Sequence, residues 1–91
     1  MAKAPRTMTH LLLEYDESVD AAYLQISDAP WHRQERLDDG RGVNYAEDGF
    51  VIGIELLSPS RDGVNLEGLP YAADVERVMR ARGFKILQRA G

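Results

Sequence analysis

The sequence predicts an α+β fold: an antiparallel β-meander of about five short strands, then a C-terminal helix with room for a short last strand. Three observations carry this. "FVIGIELL" (50–57) alternates as a strand does, with Phe50, Ile52, Ile54 and Leu56 on one face and Val51, Gly53, Glu55 and Leu57 on the other. Turn signals, "DDGRG" at 38–42 and "EDG" at 47–49, separate apolar runs too short to be helices. "LPYAADVERVMRARG" (69–83) instead spaces its apolar residues at helical intervals between a proline and a glycine.

The elements follow in order. "HLLLEYD" (10–16) is a Leu-rich run, and "AAYLQIS" (21–27) resumes after "ESVD". "DAP" breaks the chain at Asp28–Pro30. "WHRQERL" (31–37) places Trp31, Arg33, Glu35 and Leu37 on one face and His32, Gln34 and Arg36 on the other, which suits a partly exposed edge strand. "VNY" (43–45) is a short strand before the Asp-Gly turn. The helix is expected from Pro70 or Tyr71 to Arg82, with Gly83 at the left-handed C′ position. Its buried stripe is Tyr71, Val75, Val78 and Met79, and Asp74 and Glu76 near the start oppose Arg80 and Arg82 in the last turn. "FKILQ" (84–88) then forms a final short strand or a hydrophobic tail.

Ninety-one residues fit one domain, expected over 10–91 behind a disordered tail at 1–9. The absence of cysteine excludes a disulfide framework, a thiolate nucleophile and any Cys-based metal site. No apolar run reaches the roughly 18–20 residues that span a bilayer, and "MAKAPRTMT" lacks a hydrophobic core, so a cytoplasmic protein without membrane contact is expected. A net charge of −4 argues against nucleic acid as a partner. The charges are unevenly spread: ten acidic and three basic residues lie between Glu14 and Asp48, and five basic residues without an acid run from Arg77 to the end. Such asymmetry serves solvated faces, ion pairs within the fold, or head-to-tail attraction between copies.

"YDESVDAAYLQIS" (15–27) raises the main ambiguity. Val19, Ala22, Tyr23 and Ile26 fall at helical spacing, and a helix would stack Asp16 and Asp20 at i and i+4. That like-charge pair costs a few tenths of a kcal/mol unless a cation is bound. A hairpin instead sets both aspartates at the ends of a short connection, where a carboxylate accepts backbone N–H bonds. The flanking runs are too short to be separate helices, which favours the hairpin.

Together with "DDGRGVNYAEDGFVIGIELLSPS" this stretch resembles a widespread bacterial family of small domains of unknown function. The pattern is Y-D-x-x-x-D-x-x-Y-[LIV]-x-[LIV]-S, a variable strand, an acidic-Gly turn, then D-x-x-G-x-[LIV]-[LIV]-G-[LIV]-E-[LIV]-L. Tyr15, Asp16, Asp20, Tyr23, Leu24, Ile26 and Ser27 match the first block. Asp48, Gly49, Val51 to Leu57 match the second, with the spacing before Gly49 compressed. The resemblance spans roughly residues 13–60, and "VNLEGLPYAADVERVMRARGFKI" resembles an extension found in longer members. It implies a small β-rich fold in which Asp16 and Asp20 bracket a hairpin, and it supplies no catalytic residues. Some members resemble antitoxins, small acidic partners of a small basic protein.

Glu55 interrupts an apolar strand beside Gly53, where a missing side chain lets another group approach. A carboxylate turned into an apolar layer can bind a cation or exchange a proton, whereas one facing solvent or an arginine of the C-terminal segment is structural. Glu55, Tyr23, Tyr45, Asp16 and Asp20 are the candidate ligand or interaction residues. His10 and His32 are far apart, no calcium-loop or phosphate-loop pattern occurs, and no metal or cofactor is assigned. No motif assembles a nucleophile, a base and oxyanion donors. The expected function is therefore a noncatalytic, self-associating protein-interaction module. One helix covers one sheet face at most, so a homodimer is expected. The alternatives are a small-molecule or metal-binding protein with its site at a subunit interface, and an antitoxin-like partner of a small basic protein.

Overall fold

Alternation in the strand after the Asp-Gly turn organises the whole molecule. The computed structural model describes residues 11–87; the expected tail at 1–9 lies outside them. The strands are β1 (Leu12–Asp16), β2 (Ala21–Gln25), β3 (Arg33–Asp38), β4 (Arg41–Tyr45) and β5 (Val51–Leu57). They form one antiparallel sheet in the spatial order β1-β2-β5-β4-β3. Two successive hairpin runs, β1–β2 and β3–β4–β5, are thus joined where β5 pairs with β2. The α+β meander-like class is as the sequence predicts. The most apolar strand takes the centre, where both of its edges are hydrogen-bonded and neither faces water. The 26–32 connection runs along the end of the sheet, held by Ile26 and Ser27 N–H groups on the Ile52 carbonyl and by His32 N–H on that of Tyr45.

Ala22, Leu24, Val43, Ile54 and Leu56 project from the covered face and are buried. Against them packs α2 (Ala72–Ala81), whose Val75 and Met79 are completely enclosed. Each such side chain contributes about 1.5–3 kcal/mol of burial. The helix starts at Ala72, one residue after the later of the two expected starts, Pro70 or Tyr71, because Tyr71 adopts a left-handed backbone (φ 56°) as its N-cap and leaves the proline outside. Its C-terminus follows the prediction. Gly83 is left-handed (φ 92°), its N–H bonds to Arg80 and that of Phe84 to Met79, the paired bonds of a Schellman cap. Phe84 then meets the Tyr15 ring edge-on at 5.0 Å.

Two short features complete the covered side. The "SPSRD" segment after β5 contains the one-turn helix α1 (Pro59–Asp62). The expected last strand is a single parallel bridge, Val64 with Ile86. Arg41 ties the intervening 63–70 loop to the sheet through the carbonyls of Asn65 and Glu67, while Asp38 holds its guanidinium at 2.9 Å.

Among the described residues, the second sheet face carries no helix. Gly53 and Gly42 are nevertheless buried there, because Tyr23 lies over the first and Arg36 and Gln34 over the second. A Cβ at position 53 would stand 1.7 Å from the Tyr23 hydroxyl oxygen. Gly53→Ala is expected to cost about 1–3 kcal/mol by displacing that ring. In a Tyr23→Ala background the same change should cost measurably less, as a double-mutant cycle in urea would read out.

Candidate functional site

Antiparallel register arranges the uncovered face in rows across the sheet. Glu14, Tyr23, Glu55, Gly42 and Arg36 form one row, and Leu12, Gln25, Gly53, Asn44 and Gln34 the next. Glu55 accepts from Arg36 at 2.7 Å and from Gln34 Nε2 at 3.3 Å. Gln34 Nε2 also donates to Asn44 at 2.9 Å, and Asn44 Nδ2 donates to the Tyr23 hydroxyl at 3.3 Å. The chain of contacts therefore runs from Tyr23 to Arg36 across four strands. Arg36 is further held by the Asp38 and Asp39 carbonyls. The partner of Glu55 is thus an arginine of β3, not one from the C-terminal segment. With side chains 39% and 35% exposed, the Arg36–Glu55 pair is a surface ion pair worth about 0–1 kcal/mol.

Beside this network lies a shallow trough of about 570 Å³ along the β1–β2 hairpin, lined by Glu14, Asp16, Glu17, Tyr23 and Glu55 around Val19 and Ala21. The structure thus brings Asp16, Tyr23 and Glu55 together, and it places Asp20 and Tyr45 elsewhere. Tyr45 belongs to the covered face, with the Arg33 guanidinium 4.3 Å from its ring centre and its hydroxyl donating to Glu35. Burial and the neighbouring Glu35 carboxylate raise its pKa.

The two aspartates bracket a hairpin turn, so the helical alternative for this stretch is excluded. Asp16 Oδ1 accepts the Ser18 hydroxyl at 2.6 Å and the Ser18 N–H at 3.0 Å, an Asx-turn that holds its carboxyl below the usual range. Asp20 reaches much further. It takes a left-handed backbone (φ 53°), its carboxylate accepts the Tyr15 hydroxyl at 2.7 Å, and it receives the N–H groups of Ser60 and Arg61 at 3.1 Å each. Its own carbonyl accepts the Ser58 N–H at 2.7 Å. The second aspartate is therefore an N-terminal cap supplied to α1 from a distant turn. Partial burial works against the ionised form of Asp20, but the Tyr15, Ser60 and Arg61 hydrogen bonds and the Arg61 charge outweigh it and lower its pKa. The same bond raises the pKa of Tyr15, with burial adding to it.

Sequence reasoning did not single out Arg36, Gln34 or Asn44. The signal was available in the alternation of "WHRQERL", which sets Gln34 and Arg36 on one face, and in Gly42, whose missing side chain gives them room. The C-terminal basic residues make no ion pair with the Glu14–Asp48 segment among the described residues; Arg77 and Arg80 pair within α2, with Asp74 and Glu76. Also among the described residues, no three His, Asp or Glu side chains gather closely enough to hold a metal ion, and no helix is long and apolar enough to cross a membrane.

Fold and site together define a small α+β protein built on one half-covered antiparallel sheet, its bare face bearing a polar network and an acidic trough. The family described as "Protein of unknown function (DUF2283)" matches residues 13–60, more than half of the chain, and the protein belongs to it. No curated protein and no solved structure matches the chain.

Asp20 and Glu55 should separate cleanly in stability experiments. Folding favours the ionised form of Asp20, so its contribution is complete above the ordinary carboxylate value of 3.8 and is lost as pH falls through the lower folded value. Asp20→Asn should lower the melting temperature by several degrees at neutral pH and flatten its decline below about pH 4. Glu55→Gln should cost less than about 1 kcal/mol. Thermal melts of both variants from pH 2.5 to 7 check this.

Proposed function

We propose that this chain is a noncatalytic, self-associating protein-interaction module, working as a homodimer in the bacterial cytoplasm. The observation that carries the reading is the difference between the two edges of the sheet. β3 exposes Arg33, Glu35, Arg36 and Asp38 and is kinked by a register shift between Arg36 and Asp38. Charge and irregularity of this kind prevent strand addition. β1 is regular and less charged: its two exposed charges, Glu14 and Asp16, both lie on the bare face beside Leu12. It pairs with β2 without a shift, and its Leu12 is 61% exposed.

A second reading draws on the trough. Glu14, Asp16, Glu17 and Glu55 line it beside Tyr23, and Arg36 is the cation paired there with Glu55. Charge of that sign suits a basic protein partner, in the manner of an antitoxin. Sedimentation velocity of the purified full chain at tens of micromolar tests the first reading. A dimer is the expected result; a monomer across that range overturns self-association and leaves the basic-partner reading.

A further inference from the structure

We infer that β1 is the strand through which a second copy of this chain adds, its β1 pairing antiparallel with that of the copy about a two-fold axis at Leu13. The inference rests on the self-association reading and specifies the surface and the register.

The occupant follows from what β1 presents on its two faces. Toward the covered side it carries Leu13 and Tyr15, both only half-buried because the core layer ends at this strand, next to the buried Leu11. Any extended segment could satisfy the edge's backbone groups. Covering this row also requires a strand with apolar residues at alternate positions, which a second β1 supplies as Tyr15, Leu13 and Leu11 opposite Leu11, Leu13 and Tyr15. The two cores then become continuous under one sheet.

Charge selects the register. A two-fold axis normal to the sheet keeps each face on its own side, so the axis must pass through a residue paired with itself. With the axis at Glu14, that carboxylate would face its own counterpart and Leu12 would face Asp16, the least favourable arrangement for this edge. With the axis at Leu12, Leu11 would face Leu13 but Tyr15 would face position 9, a threonine, and the half-buried tyrosine would gain no apolar counterpart. With the axis at Leu13, the pairing extends over Leu11 to Tyr15, each exposed Leu12 covers the stem of the copy's Glu14, and the two Glu14 carboxylates stand about 8 Å apart. Glu14 makes no ion pair among the described residues.

Sedimentation equilibrium of three full-length proteins tests this: the unmodified chain, Leu12→Glu, and Leu12→Glu combined with Glu14→Lys. Leu12 is exposed, so neither change should alter the fold, and far-UV circular dichroism with a thermal melt verifies it. The proposal expects Leu12→Glu to raise the dimer dissociation constant about tenfold or more, because two Glu–Glu pairs then form per dimer. Adding Glu14→Lys should return it close to the original value, since each pair becomes Glu–Lys. A dimer indifferent to Leu12→Glu overturns the β1 surface while leaving self-association intact. Weakening without rescue overturns the Leu13 register. A monomeric unmodified chain overturns both this inference and the reading on which it rests.

Discussion

The Asp20 carboxylate joins two parts of the chain that lie 40 residues apart, and the arrangement of the sheet depends on that junction. One side of the clasp is the β1–β2 turn, with the Tyr15 hydroxyl on Asp20. The other is the first turn of α1, immediately after β5. β2 and β5 are neighbours in the sheet but are separated in sequence by an entire hairpin. Pairing them requires closure of a long loop, an entropic cost that local turns do not incur. A charge-assisted acceptor facing two otherwise unpaired helix N–H groups fixes one end of this non-local pair. Asp is suited to the position because it tolerates the left-handed backbone and carries a short acceptor.

From that junction the remainder of the architecture follows. β5, anchored beside β2, contributes Ile54 and Leu56 to the core that holds Val75 and Met79 of α2, and turns Gly53, Glu55 and Leu57 to the open side. Gly53 is the residue without which Tyr23 could not lie flat, and Tyr23 in turn anchors the hydrogen-bonded row ending at Arg36. A bare sheet face normally carries loosely solvated polar groups. Here they are tied to one another across four strands. Such preorganisation leaves little side-chain entropy to be lost on contact with a partner. That is the physical basis on which recognition through this face and the β1 edge beside it is proposed.

Local chemistry was legible in the sequence and long-range pairing was not. Alternation in "FVIGIELL" and the proline and glycine around "YAADVERVMRAR" specify a strand and a helix through contacts within a few residues. The two-residue Asp39–Gly40 link and the Ala46–Phe50 turn likewise mark their hairpins. The helix start shifted because a left-handed Tyr71 is a tertiary choice, for which local sequence gives no signal. The position of β5 between β2 and β4 is equally non-local. Of the candidate site, Asp16, Tyr23 and Glu55 converge as one trough, whereas Tyr45 sits on the other face of its strand, a consequence of parity once β4 is paired. The arginine opposite Glu55 could be guessed in kind but not in place, since only the register sets Arg36 across from it.

The stretch from Tyr15 to Asp20 is, on this account, a folding device, and Asp20 is its working end. Amide hydrogen exchange of Ser60 and Arg61, followed by NMR in the unmodified chain and in Asp20→Ala, tests that most directly. The account predicts slow exchange at both amides at neutral pH and its loss in the variant, with the amides of the β4–β5 turn unchanged. Fast exchange at Ser60 and Arg61 in the unmodified chain, or slow exchange that survives the substitution, would contradict it.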